Sequence, residues 1–140
     1  MAFLKVDGKL HKINGKNVET TDWETIPLEL WNCTTLRSYI TYLNLEAFGE
    51  APRTNIIQAE NRTMTRDIKA HGIDVVKRYV ELFVENYKPN NTYKALSYSQ
   101  MAVFDKLAKD SEKMFPKALN GVKSLREARE EAIPLDEMTF

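Results

Sequence analysis

Cysteine is nearly absent from this chain, which has one, Cys33, among its 140 residues. A lone cysteine excludes an internal disulfide and a zinc site made of several thiolates. Long apolar stretches are missing too, because no run approaches the roughly 18 residues of a membrane-spanning helix. The segment Met1–Gly15 reaches lysine and glycine before an apolar region forms, so we recognise no signal peptide in it. These absences predict a cytoplasmic protein without a membrane anchor.

A surplus of charge of either sign is also lacking, since 20 basic side chains balance 20 acidic ones. Such a chain has no overall positive field to attract nucleic acid, although neutrality is compatible with a local basic patch. Hydrophobic residues at 43% and charged residues at 29% are ordinary for a globular protein. A chain of this length is expected to bury one core without the help of a disulfide or a metal.

The common catalytic motifs HExxH, GxSxG, GxxxxGK(S/T) and GxGxxG do not occur in the chain. The two histidines are His11, near the N-terminus, and His71, which precedes Gly72 at a predicted helix end, where a cation complements the helix dipole. The carboxylates of Glu127–Glu131 belong to a segment of alternating charge that is typical of a solvated face. We therefore predict no catalytic residues, no metal ligands and no cofactor.

A strongly amphipathic pattern in the second half of the chain predicts the fold class. Seven apolar residues fall on one helical face, at spacings of one and three residues. They are Val75, Val76, Tyr79, Val80, Phe83, Val84 and Tyr87. We predict an all-α bundle of four to five helices, with a helix ending at Phe48, others over Asn55–His71, Asp74–Lys88 and Ser97–Pro116, and a last charged helix over Val122–Ala132.

The predicted domain organisation has three parts, residues 1–22, 23–120 and 121–140. The first is a mobile arm or a short β-hairpin around Asp7-Gly8, a dipeptide suited to tight turns. The second is the helical domain, in which Trp23 and Trp31 are expected to anchor the core. The third is a charged helix followed by a C-terminal tail, Ile133–Phe140, that is expected to be disordered.

Basic residues on the second predicted helix indicate a phosphate-binding surface. Arg62, Arg66 and Lys69 are spaced at i, i+4 and i+7, so they share one helical face. An equally weighted alternative is a solvated face that also contains Glu60 and Asp67. The full set of candidate nucleic-acid-binding residues is Arg53, Arg62, Arg66, Lys69, Lys77, Arg78 and Lys94.

Two tyrosines, Tyr93 and Tyr98, flank Lys94. Aromatic rings interleaved with a cation can stack on unpaired bases. The alternative, to which we give more weight, is a structural role in which both tyrosines pack the junction between two helices.

The C-terminus combines acidic residues with spaced apolar side chains. Such a segment suits docking into a hydrophobic pocket rimmed by basic residues on another protein. The predicted anchors are Leu135, Met138 and Phe140, and the predicted steering charges are Asp136 and Glu137.

A resemblance to a known family rests on the segment Ser38–Leu107, about half of the chain. It combines an aromatic-rich helix ending at Phe48-Gly49, a polar helix, a G-x-D-x-V junction within His71–Val76, an amphipathic helix and a Y-x-x-L segment at Tyr93–Leu96. This layout resembles the C-terminal domain of DnaD-type replication initiators and related phage helicase loaders. Ser97–Met101 stands where DnaD proteins carry a Tyr-Ile-x-x-Ile-Leu-x-x-Trp motif. The resemblance implies a helical fold and a role in DNA replication.

The tail carries a second resemblance. Leu135–Phe140 is similar to the acidic-apolar C-termini with which phage polymerases and late-transcription coactivators hold a sliding clamp. Thr139 stands where those tails usually have a second apolar residue. The segment is also loosely similar to the acidic, Phe-ending tip of single-strand DNA-binding proteins.

These features together predict a non-catalytic accessory factor of DNA replication, of helicase-loader type, which bridges DNA and a replisome protein. Two alternatives stay open. One is a transcription coactivator or regulator that binds RNA polymerase and a sliding clamp. The other is a structural or packaging subunit whose helical core forms an oligomer.

Overall fold

The computed structural model describes the backbone of residues 2–138 and the side chains of residues 2–130. Within that part, two β-hairpins precede five helices, so the fold is mostly α and forms the compact bundle that the sequence predicts. None of these helices combines the length and the apolarity that crossing a bilayer requires. The helices are α1 (Cys33–Phe48), α2 (Ile57–His71), α3 (Ile73–Asn86), α4 (Tyr98–Leu107) and α5 (Met114–Met138).

Two tight hairpins open the chain. Strand β1 (Lys5–Val6) pairs antiparallel with β2 (Lys9–Leu10), and β3 (Lys12–Ile13) pairs antiparallel with β4 (Lys16–Asn17). The turn residues have positive φ, 52° and 78° at Asp7-Gly8 and 53° and 77° at Asn14-Gly15, which favours aspartate, asparagine and glycine there. The first hairpin lies at the predicted Asp7-Gly8 turn, and the second was not predicted.

The N-terminal segment packs on the helical core. Leu4 is 1% exposed and its backbone N–H donates to the carbonyl of Val18, which is also buried, at 2.7 Å. Thr35 on α1 donates its hydroxyl to the carbonyl of Thr20 at 2.8 Å. Of the two predicted alternatives, a mobile arm or a hairpin, the structure therefore shows the hairpin, and order begins before Trp23.

Local capping interactions set both ends of α1 and the start of α4, and the predicted helix end at Phe48 and start at Ser97 are confirmed to within one residue. The Asn32 side chain accepts from the backbone N–H groups of Thr34 and Thr35, and α1 ends at Gly49 in the left-handed region. Ser97 and Gln100 form a reciprocal capping box at the start of α4.

The boundary between α4 and α5 differs from the prediction of one helix ending at Pro116 and another starting at Val122. Helix α4 ends at Leu107, and α5 begins at Met114, whose backbone N–H donates to the Asp105 carboxylate at 2.6 Å. Pro116 lies in the first turn of α5, where backbone N–H groups have no intrahelical partner, so the missing donor is harmless.

Helix α3 is the centre of the bundle and packs against the other four helices. Its valines Val75, Val76 and Val80 are at most 1% exposed, which confirms the predicted stripe. Trp31 is buried and Trp23 is half-buried, and both rings contact the ring of Tyr39 on α1. The two tryptophans therefore anchor the core, as expected.

The turn from α2 into α3 is tied to α5. Asp74, the first residue of the helix that the sequence predicts, is the second residue of α3, accepts from the Val75 N–H at 3.0 Å and pairs with Arg126 of α5. A Cβ on Gly72 would stand 2.7 Å from the Arg126 guanidinium, so glycine leaves the space in which Arg126 reaches this turn. Helix α5 continues to Met138, beyond the predicted end at Ala132, and the side chains of the predicted tail, 133–140, lie outside the described residues.

Candidate nucleic-acid interface

The outer face of α2 carries three exposed cations, Arg62, Arg66 and Lys69, over about 10 Å of helix axis. We call this surface the α2 basic face. Among the described side chains, Arg62 and Lys69 form no salt bridge. Arg66 is 73% exposed and approaches Asp67 at 3.4 Å. The spacing in the sequence thus corresponds to one continuous surface.

Glu60, which the alternative reading placed on a solvated face, points into the protein. It is 2% exposed and accepts from the Arg37 guanidinium of α1 at 2.5 Å. Its second oxygen accepts from the backbone N–H and the hydroxyl of Ser99, in the first turn of α4, at 3.0 and 2.6 Å. The carboxylate therefore joins three helices and adds no charge to the α2 basic face.

Asp67 is half-buried and reaches the core with one oxygen. One of its oxygens accepts from the Tyr98 hydroxyl at 2.7 Å. Burial of Tyr98, together with this bond to the carboxylate, raises the pKa of its phenol, so Tyr98 stays neutral and continues to donate. The other oxygen of Asp67 lies 3.4 Å from the Arg66 side chain, so Asp67 is shared between Tyr98 on the inner side and Arg66 on the outer face, whereas Glu60 is fully withdrawn.

Lys77 and Arg78 of α3 lie elsewhere and are paired with acids on their own helix. Glu81 accepts from Lys77 at 2.7 Å and from the Tyr39 hydroxyl at 2.5 Å, and Arg78 reaches Glu85 at 3.1 Å. Burial alone would raise the pKa of Glu81, but Lys77, Tyr39 and Arg78 together hold it below its ordinary value. The structure does not bring these two cations onto the α2 basic face.

Arg53 and Lys94 both line a groove of about 360 Å³ between two loops. One wall comes from Glu50–Arg53, which connects α1 to α2, and the other from Asn91–Ala95, which connects α3 to α4. We call this the loop groove. Tyr93 lines it as well, and Arg53 also borders a second cavity that extends to Ile57 at the start of α2.

The structure separates the two tyrosines that flank Lys94. Tyr98 is 3% exposed and packs in the core, as the more heavily weighted alternative expects. Tyr93 is 37% exposed, and its ring meets Phe104 edge to face, with centroids 5.5 Å apart. The loop groove therefore contains one accessible aromatic ring, from Tyr93.

Sequence reasoning missed Arg37 and did not place Tyr93 beside Arg53. Arg37 is 23 residues from Glu60, and Tyr93 is 40 residues from Arg53. No local spacing signals pairings at such separations.

In the part of the chain that the structure describes, no group of three histidine, cysteine or acidic residues is arranged to hold a metal. Cys33 is half-buried.

Comparisons with protein families, curated proteins and solved structures find no match to this chain. The predicted partner-binding residues Leu135, Asp136, Glu137, Met138 and Phe140 lie outside the described side chains.

Proposed function

We propose that this protein is a non-catalytic accessory factor of DNA replication that binds nucleic-acid phosphates through the α2 basic face. The observation that carries the proposal is the asymmetry of α2, whose cations point outward while Glu60 is buried and Asp67 gives one oxygen to Tyr98 on the inner side. Phosphate binding requires several cations along one exposed surface, because each contact releases condensed counterions and the contributions add. Arg62, Arg66 and Lys69 meet that requirement.

The inner partners explain why the outer cations remain available. Arg37 neutralises Glu60 away from the surface, and Tyr98 binds one oxygen of Asp67 on the inner side of the helix, which leaves Arg62 and Lys69 without an acidic partner among the described side chains. A phosphate at Arg62 therefore replaces water and not a carboxylate, which lowers the cost of forming the contact.

The test is fluorescence anisotropy with labelled single- and double-stranded oligonucleotides at two salt concentrations. The variant carries Arg62→Glu with Arg66→Glu. Its matched control carries Lys117→Glu with Lys123→Glu, two exposed lysines of α5, so that the change in net charge is the same. We expect the α2 variant to bind at least about tenfold more weakly at low salt and the control to bind nearly as well as the wild type.

Melting temperatures of both variants are expected to match the wild type, because all four side chains are exposed. Equal affinities of the wild type and the α2 variant would refute the assignment of this face. Equal losses in the two variants would mean that net charge alone, and not the α2 basic face, governs binding.

The second part of the proposal is that the protein bridges DNA to a replisome protein and works in the cytoplasm. It is supported by the resemblance of Ser38–Leu107 to helicase-loader domains and by the acidic-apolar sequence of Leu135–Phe140. Deleting Leu135–Phe140 is expected to abolish binding to one purified partner, replicative helicase or sliding clamp, while nucleic-acid affinity stays within twofold or so. Binding of both partners by the truncated chain as well as by the full one would refute the tail's role.

A further inference from the structure

We propose that the loop groove holds one unpaired base of a single-stranded nucleic acid, stacked on Tyr93, with its phosphates on Arg53 and Lys94. This inference rests on the proposed function, because it names the form of nucleic acid that such a protein prefers. The observations behind it are an accessible ring, two cations in the same groove, and continuity with α2.

The ring of Tyr93 is held in place before any ligand arrives. Its edge-to-face contact with Phe104 fixes the ring, and its backbone N–H donates to the Asn90 side chain at 2.7 Å. The Tyr87 hydroxyl donates to the Tyr93 carbonyl at 2.6 Å. A ring fixed in this way and 37% exposed loses little conformational entropy when a base stacks on it.

The charges of the loop groove suit a phosphate next to that base. Arg53 and Lys94 are exposed, and neither forms a salt bridge among the described side chains. Glu50 is the carboxylate among the lining residues, so the groove keeps a net positive charge. Asn91 and Gln100 add polar groups to the walls.

A mononucleotide has the same base and phosphate as one residue of a strand. The position of the groove favours a strand. Arg53 lines both the loop groove and the cavity that reaches Ile57, in the first turn of α2. A strand whose base occupies the groove continues past Ile57 toward Arg62 and the α2 basic face. A duplex keeps its bases paired and stacked, so it contacts the cations without using Tyr93.

The experiment compares a labelled thymidine oligonucleotide of roughly twelve nucleotides with a duplex of the same length. It uses the wild type, Tyr93→Leu, Tyr93→Phe and the control Tyr42→Leu, which changes a tyrosine of α1 with nearly equal exposure, 39%. We expect Tyr93→Leu to weaken single-strand binding about tenfold, the effect of one lost base stack, and to leave duplex binding unchanged. Tyr93→Phe and Tyr42→Leu are expected to bind the single strand as the wild type does.

Two further arms complete the test. Thymidine monophosphate is expected not to displace the labelled strand at concentrations where the unlabelled strand does. Equal displacement by both would overturn the proposal of a strand-binding groove in favour of a mononucleotide site. Arg53→Gln with Lys94→Gln is expected to weaken single-strand binding more than duplex binding, and it tests the groove without disturbing the Tyr93–Phe104 contact.

The outcomes separate the two proposals. If the wild type binds neither oligonucleotide at low salt, the proposed function fails and this inference with it. If the wild type binds both, and Tyr93→Leu changes neither affinity or lowers both equally, the base-stacking inference alone is overturned.

Discussion

Two neighbouring helices, α2 and α3, both carry basic and acidic side chains, but the two helices differ in how many of the cations pair with acids of the same helix. On α3, Lys77 and Arg78 share a face with Glu81 and Glu85, and the charges pair with each other. On α2, Glu60 is buried opposite the cations and held by α1 and α4, and Asp67, bonded to Tyr98 of α4, reaches Arg66 alone among the three cations. The comparison teaches that charge counted along a helix does not reveal whether its cations are available. Whether a cation is available depends on the face where each acid lies and on the residues that bind that acid.

The largest expected effect is on the inner side of α2. Glu60→Gln removes the charge that pairs with Arg37 and weakens the contact that holds α2 to the start of α4. Glu60 is buried, but Arg37 is 27% exposed and keeps its bond to Asn61, so we expect the free energy of unfolding to fall by about 2–3 kcal/mol, within the range for hydrogen bonds to a charged group. Urea denaturation measures this free energy. The control is the exposed Glu85→Gln, for which we expect the free energy of unfolding to fall by less than about 0.5 kcal/mol. Equal effects in the two variants would contradict a structural role for Glu60.

A smaller effect, with a dependence on pH, is expected on α3. Glu81→Gln weakens its contacts with Lys77 and Tyr39, which we expect to cost about 1–2 kcal/mol at neutral pH. Because the pKa of Glu81 is lower in the folded chain than in the unfolded one, this stabilisation is present above the unfolded pKa. It is lost as the pH falls from about 4.3 through the folded pKa.

The difference in stability between wild type and Glu81→Gln should therefore shrink on acidification. Melting temperatures taken from neutral pH down to about pH 3 measure this. A constant difference across that range would show that the charge of Glu81 contributes nothing to the fold.

The smallest expected effect comes from giving α2 the pattern of α3. Ala70 is exposed and lies four residues after Arg66, so Ala70→Glu adds a carboxylate at a pairing distance on the α2 basic face. We expect nucleic-acid binding to weaken about threefold and stability to change by less than about 0.5 kcal/mol. Ala70→Gln, which adds a similar side chain without charge, is the control. Equal weakening by both variants would point to sterics and not to charge.

The parts of the fold that depend on neighbouring residues could be read from the sequence. Asn32 and Gly49 bound α1, and Ser97 starts α4, because caps act within a few residues of the helix end. The apolar stripe of α3 was recognised because its period directly reflects the buried face. Asp7-Gly8 indicated a hairpin for the same reason, since a type I′ turn is a local requirement.

The remaining features depend on contacts between distant residues. Pro116 suggested a helix end, but Asp105 caps α5 from outside and puts the proline in a first turn that tolerates it. Glu60 looked like a solvated acid, because nothing near it in the sequence reveals Arg37 as its partner. For the candidate interface, the cations of α2 were found by spacing, whereas the pairing of Lys77 and the joining of Arg53 with Tyr93 required the fold.

The most direct test of the difference between α2 and α3 is the salt dependence of nucleic-acid affinity. The slope of log affinity against log salt counts the phosphates that a protein neutralises, at about 0.9 per contact on a duplex and 0.7 on a single strand. It should be measured for the wild type, for Arg62→Gln with Arg66→Gln and Lys69→Gln, and for Lys77→Gln with Arg78→Gln. The α2 variant is predicted to lose about 2–3 units of slope and the α3 variant to keep the slope of the wild type. A slope unchanged in the α2 variant, or reduced more in the α3 variant, would contradict the assignment of phosphate binding to α2.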